Sequence, residues 1–269
     1  MSDKKKDSAN TDNMKTVYGP VSSWRLGRSF GIDLICRSKK VCSFDCIYCQ
    51  LGKTKEKTLK RKIYVKTERI LKDLTENLPK VKADVITFSG TGEPTLAENL
   101  LEIVEFLRKN TSLPLAVLTN SSLLGKREVK NALKKLDIVV AKLDAFDEES
   151  FRIINNPVRE ISFKKYIEGI KSFRKDFSGK FALQIMFIKE NKDFAREMAK
   201  IAKEIDPDEI QINTPLRPCR AKPLTRKEIA EIKKEFSGFK NVISVYEAKK
   251  PKVLPLDIKE VQKRKRPKP

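Results

Sequence analysis

Three thiols stand within one short stretch, Cys42, Cys46 and Cys49, at C-x3-C-x2-C spacing. A structural zinc site closes with four protein ligands, whereas a reactive metal centre keeps a position open for water, substrate or cofactor. One loop that aims three sulfurs at a common centre therefore suits an iron–sulfur cluster with one iron left free. Two other readings stay open on spacing alone: a zinc knuckle completed by a distant Cys, or small apolar side chains packed in a core. The chain has no His, which removes every mixed Cys/His site. Of five cysteines only Cys36 and Cys219 lie outside the loop, too few for a second cluster. Such usage is no disulfide framework and fits a reducing cytosol.

A loop of this kind needs a scaffold, and the rest of the chain reads as alternating strands and helices. Phe30 to Cys36 is a short apolar strand that runs into the cysteine loop, after an irregular lead-in from Val17 to Leu26 with a Gly-Pro turn. Thr67 to Leu78 puts Ile70, Leu71, Leu74 and Leu78 on one helical face, and Pro79 ends the pattern. Asp84 to Phe88 is a buried-type strand that ends in Ser89-Gly90-Thr91-Gly92-Glu93-Pro94. Thr95 and Glu98 then form a capping box before the stripe Leu100, Leu101, Val104 and Leu107. The rhythm continues with strands at Leu115 to Leu118, Ile138 to Leu143, Phe181 to Ile188 and Glu209 to Ile212. Helices fall at 127–136, 148–154, 162–173 and 194–205 between them. A capped helix from Thr225 and a last strand, Val242 to Tyr246, follow. Six strands joined by helices imply right-handed parallel crossovers, hence an α/β fold: a partial (β/α)6 parallel barrel with a short C-terminal helix–strand extension. The core spans 16–248, between a disordered N-terminus (1–15) and a basic tail (249–269).

In parallel barrels the site forms at the C-terminal ends of the strands. The cysteine loop, Ser89 to Glu93, Thr119 to Ser122, Lys142 with Asp144, and Asn213 with Arg217 all fall at or just past such ends. Singly each has a bland explanation; Gly90 and Gly92, for instance, would serve a tight turn.

The cysteine loop, with aromatic Tyr48 before its third Cys, followed one strand later by Gly90-Thr91-Gly92-Glu93-Pro94, resembles the radical S-adenosylmethionine (radical SAM) enzymes over residues 30–213. The resemblance implies that Cys42, Cys46 and Cys49 each ligate an iron of a [4Fe-4S] cluster, whose fourth iron chelates the methionine part of S-adenosylmethionine (SAM). Gly90, Thr91, Gly92 and Glu93 match the segment that receives the methionine amino group, and Tyr48 matches the aromatic whose backbone meets the adenine. From strand position, Lys142 would pair with the carboxylate, and Asn120, Asp144 and Gln184 would reach the ribose. The activity implied is reductive cleavage of SAM to a 5′-deoxyadenosyl radical that abstracts a substrate hydrogen, fed by an electron donor such as ferredoxin or flavodoxin. The stretch from Tyr18 to Leu34 and the run Ile212 to Pro218 resemble a subgroup loosely related to the tRNA wybutosine-synthesising enzymes. Cys36 and Cys219 are expected at the cluster rim, as inert packing or with one of them giving a hydrogen atom or proton to a substrate radical.

The net charge of +22 is concentrated. Residues 53–66, directly after the loop, hold seven Lys and Arg against Glu56, and 249–269 hold nine against Asp257 and Glu260. The first run should contact phosphates at the mouth of the site, and a macromolecular substrate, RNA or protein, fits the charge. The competing class is a non-enzymatic iron–sulfur or zinc module that binds nucleic acid. No apolar run approaches the ~18 residues that span a membrane, and a signal-peptide core is missing, so a cytoplasmic protein is expected.

Overall fold

The computed structural model describes residues 14–264. Eight strands form one curled sheet: β1 Val17–Ser23, β2 Gly27–Ile32, β5 Val85–Phe88, β6 Leu115–Thr119, β7 Ile138–Lys142, β8 Lys180–Met186, β9 Glu209–Asn213 and β10 Val242–Ser244, side by side in that order. All neighbours are parallel except β1, which runs antiparallel to β2. β3 Val41–Cys42 and β4 Glu56–Lys57 form a separate parallel pair beside the cysteine loop. Strands such as β5 are buried at every residue, as expected when helices cover the outer face of a parallel sheet. That cover comes from α1 Thr67–Asn77, α2 Leu100–Asn110, α3 Arg127–Leu133, α4 Phe163–Asp176, α5 Ala195–Ile205 and α6 Arg226–Lys234. Each helix longer than nine residues carries an apolar stripe; that of α1 buries Ile70 and Leu74, and that of α2 Leu100, Ile103, Val104 and Leu107.

The partial barrel follows the sequence pattern, with four local departures. The lead-in expected to be irregular is β1. A register shift between Tyr18 and Val21 takes up Gly19-Pro20 at the sheet edge, where a missing N–H breaks no ladder. The first parallel strand stops at Ile32 rather than Cys36, because the chain turns out of the sheet and Cys36 sits at φ +43°. Thr95 and Glu98 form no capping box: the Thr95 amide and hydroxyl both donate to Glu93, and α2 starts only after Asn99. The stretch expected as a helix at 148–154 is one turn, Glu148–Ser150, running into a π-helical Phe151–Asn155. The capping box of Thr225 and Glu228, by contrast, forms at the start of α6.

β10 continues the parallel sheet, and the chain then crosses from that edge to the other. The Leu256 amide donates to Gly19 O (2.8 Å), and α7, Ile258–Lys263, lies on β1. Thus the part of the expected basic tail up to Arg264 is packed structure, and Arg264 is only 4% exposed. Of the N-terminus expected to be disordered, Met14 is buried and the Lys15 amide donates to Glu260. Residues 1–13 and 265–269 lie outside the described residues.

Candidate active site

A cavity of about 690 Å³ fills the concave face of the sheet, within the range of small-molecule sites of ~300–1,000 Å³. Its floor is built from inward positions of successive strands: Ser29, Thr87, Leu118, Lys142, Gln184 and Asn213. The crossing segment supplies the open side through Val253, Pro255, Val261 and Arg264. Tyr48, Cys49 and Gln50 of the cysteine loop and Ser89, Gly90 and Gly92 of the following turn complete the wall.

The cysteine loop is clamped from three sides. Phe44 is fully buried, with its ring edge-on to Phe151 at 5.3 Å. The Asp45 and Ile47 amides donate to the carbonyls of Asn155 and Ile154 (both 3.0 Å), and Asp45 accepts the Thr54 amide at 2.7 Å. Arg220 reaches in from beyond β9 to Asp45 and to the Cys46 carbonyl. Cys42 and Cys46 are buried, and all five cysteines are free. Burial pushes Cys42 up to about 12 and also raises Cys46, against the opposing pull of Lys40, so a ligand that binds these sulfurs must displace protons. Lys40, itself buried, hydrogen-bonds Cys49; burial disfavours its charge, but the three sulfurs outweigh that and hold its pKa raised.

Amide donors meet two of the sulfurs, Asn120 Nδ2 to Cys42 Sγ at 3.3 Å and Asn155 Nδ2 to Cys46 Sγ at 3.5 Å. Among the described residues no three Cys, Asp or Glu side chains converge as ligands of a single ion. A cluster makes a different demand, one sulfur for each of three irons, with hydrogen bonds to the sulfurs tuning it. The donor set fits that demand.

Gly90 and Gly92 serve close approach rather than turn conformation. Neither has a positive φ. A Cβ on Gly90 would meet the Asp33 carboxylate at 2.1 Å, and one on Gly92 would meet Val41 O at 2.0 Å. Gly92 bridges Val41, and the Glu93 amide donates to the same carbonyl at 3.1 Å, so this turn and the cysteine loop form one body. Thr91 lies behind the cavity wall with its amide on Asp33. Glu93 also points inward. Its carboxylate accepts the Thr119 hydroxyl and the Asn120 amide (both 2.7 Å) besides Thr95, and burial raises its pKa in spite of them. Asn120, expected at a ribose, instead spends its side chain on Cys42 and on Ser43 Oγ (2.8 Å).

Across the floor, Tyr48 donates to Asp144 Oδ2, Lys142 Nζ sits 2.9 Å from Asp144 Oδ1, and Lys142 also donates to Gln184 Oε1 at 3.3 Å. Lys142 Nζ lies 4.9 Å from the centre of the Tyr48 ring. Burial, and then the Asp144 carboxylate, push the Tyr48 phenol well above its ordinary pKa, which keeps it a donor. Gln184 Nε2 is buried without a partner, an orphaned donor in the cavity floor. Asn155, which sequence reasoning did not single out, ties this set together by donating to Asp144 Oδ2 (3.1 Å), to the Tyr48 hydroxyl (3.3 Å) and to Cys46.

Other expected positions lie elsewhere. No residue of the basic run 53–66 lines the cavity: Arg61 donates to the Thr95 and Ala97 carbonyls, Lys62 pairs with Glu56, and Lys57 binds Asn156 and Pro157. Cys36 turns its sulfur to the Met14 and Lys15 carbonyls, away from the cavity, whereas Cys219 is the exception: it donates to Ala221 O but stays near Cys49, and its neighbour Arg220 contacts Asp45 and the Cys46 carbonyl. Lys40 and Asn155 carried no motif.

The profile of the Radical SAM superfamily matches residues 39–205, the stretch that holds the three thiols, the glycine turn and the floor residues Thr87, Leu118, Lys142 and Gln184. The chain belongs to the radical SAM superfamily. UPF0026 protein MJ1312 of Methanocaldococcus jannaschii is 38% identical over 237 residues, spanning 86% of this chain and 73% of that one. A solved structure of TYW1 with a lysine-pyruvate adduct bound superposes with a TM-score of 0.58 at 20% identity, covering 79% of this chain and 74% of that one. Native anSMEcpe with bound AdoMet superposes at 0.60 and 18% identity, covering 81% and 64%. At such identities these two show the fold, the same partial barrel. As a radical SAM protein the chain is an enzyme, which sets aside the reading of a non-enzymatic binding module. The superfamily implies an iron–sulfur cluster and SAM. No helix among the described residues is long and apolar enough to cross a membrane.

Proposed function

We propose that the protein holds a [4Fe-4S] cluster on Cys42, Cys46 and Cys49 and cleaves SAM reductively, so that a 5′-deoxyadenosyl radical takes a hydrogen atom from a macromolecular substrate, RNA or protein. The observation that carries this reading is the lock between Gly92 and Val41, which fixes the cysteine loop and the Gly90–Glu93 turn along one cavity wall. Tyr48, Gly90, Gly92, Lys142 and Gln184 line the cavity and are the contacts for SAM. Thr91, Glu93, Asn120 and Asp144 stand behind them and hold their positions. Lys142 offers an ammonium to a carboxylate, and the orphaned Gln184 amide offers a donor to a hydroxyl. The crossing segment excludes water from the open side. Electrons come from a partner such as a ferredoxin or flavodoxin in the cytoplasm. A macromolecular substrate is supported by the charge of +22.

The test is anaerobic: reconstitute with iron and sulfide, reduce, add SAM and quantify 5′-deoxyadenosine beside Cys46→Ala. Nucleoside from the wild type alone is expected; a protein that takes up zinc and no cluster overturns the reading.

A further inference from the structure

Every charged side chain that lines the cavity is a cation: Arg25, Lys142, Arg217, Lys250 and Arg264. Two of the five are neutralised within the chain, Lys142 by Asp144, and Arg264 by Asp33 (3.1 Å) and Glu260 (3.0 Å). Arg25, Arg217 and Lys250 form no ion pair among the described residues. Arg25 stands in the hairpin between β1 and β2 with its guanidinium 5.1 Å from the centre of the Trp24 ring. Its Nε is buried with no hydrogen-bond partner. Burial, and then the charge of Arg217, lower its pKa to about 10. Arg217, on the loop after β9, donates to Gln50 Oε1, the neighbour of Cys49. The partly buried Arg25 guanidinium thus stands under the repulsion of the exposed Arg217, and no acid among the described residues is paired with either. A fold tolerates that where a ligand supplies the missing charge.

Guanidinium groups present planar forks of N–H donors that match carboxylate and phosphate oxygens two at a time. We propose that Arg25 and Arg217, with Lys250 at the rim, form the docking site for an anionic group of the substrate, a carboxylate or a phosphate, beside the cysteine loop. This rests on the reading of the cavity as the active site. It deepens that reading by stating what the substrate must carry. The run expected to meet phosphates, 53–66, does not line the cavity, so the anion selectivity of this site comes from residues distant in sequence.

Trp24 is the single tryptophan of the chain and lines the same cavity, so its fluorescence reports on occupancy. The reconstituted protein is titrated with inorganic phosphate and, separately, with malonate at constant ionic strength, while SAM affinity is measured by equilibrium dialysis. A saturable response to at least one anion is expected, and the more effective anion names the substrate's group. Arg25→Gln and Arg217→Gln should each weaken the midpoint by about tenfold or more, with SAM affinity held within about twofold. Arg25→Lys keeps the charge without the fork and should fall between the wild type and Arg25→Gln; far-UV circular dichroism checks that each variant is folded. No saturable response to either anion, or unchanged midpoints in both Gln variants, overturns the proposal. A parallel fall in SAM affinity also overturns it, because the arginines would then hold the carboxylate of SAM. Anion binding is read without turnover, so a failure of radical chemistry leaves it standing and its own failure leaves that chemistry standing.

Discussion

Alanine at Gly92 is the smallest change that separates the two halves of the site. Its Cβ would lie 2.0 Å from Val41 O, against 3.4 Å for ordinary contact, and the obstacle is backbone that no rotamer change can move. The turn must retreat by about 1.4 Å, and the Glu93 to Val41 bond at 3.1 Å goes with it. Overpacking costs ~1–3 kcal/mol and a lost buried hydrogen bond ~1 kcal/mol, offset by ~0.4–1 kcal/mol from the stiffer unfolded chain. A net loss of about 1–3 kcal/mol is expected from urea unfolding. Function should suffer more than stability, since a displacement near 1 Å at a reacting centre costs ~100-fold in rate. The assay is 5′-deoxyadenosine formation by anaerobically reconstituted Gly92→Ala, with iron content measured alongside. Gly238→Ala is the control, because a Cβ there meets nothing within 4 Å. A Gly92→Ala protein with wild-type unfolding and nucleoside formation within twofold of normal would refute the lock.

Other consequences follow from the same contacts. Asn155→Ala removes a donor shared by Asp144, Tyr48 and Cys46, and should cost ~2–3 kcal/mol and shift the electron paramagnetic resonance signal of the reduced cluster. Lys142→Met leaves the fully buried Asp144 carboxylate without its cation and should cost ~3 kcal/mol, part of which the double variant with Asp144→Asn recovers in urea titrations. The Thr225 amide, then its hydroxyl, then Lys192, hold Glu228 at about 2. With a folded pKa below the unfolded one, its contribution is present above pH ~4.5 and lost as pH falls toward 2. Glu228→Gln should therefore flatten acid loss of α6 helicity in that window, as followed by amide NMR.

Much of this architecture is legible in local pattern. The β/α alternation, the thiol spacing, the glycine turn and the strand-end placement of Lys142 and Asp144 follow from short stretches of chain. What escaped depends on partners far away in sequence. Gly19-Pro20 reads as a turn because nothing local says that the segment lies at a sheet edge. Asn155 reads as a loop residue before Asn156-Pro157, and only the π turn aims it at Asp144. Lys40 and Arg264 are single cations among 58, and their burial against Cys49 and Asp33 is set by the fold. At Gly90 and Gly92 the bland local explanation, a tight turn, gives way to close approach: Asp33 and Val41 exclude a side chain there.

Arg264 also bears on the order in which the molecule is assembled. Its guanidinium closes on Asp33 across 231 residues of sequence, and Asp33 in turn carries the Thr91 amide of the glycine turn. At ~5–20 residues per second of synthesis, the cysteine loop leaves the ribosome roughly 10–40 s before the segment that walls off the cavity. During that interval the cavity lacks the side that Val253, Pro255, Val261 and Arg264 supply in the finished protein. That late wall is also the one that joins the two sheet edges, so closure of the barrel waits on a segment made long after the cysteine loop.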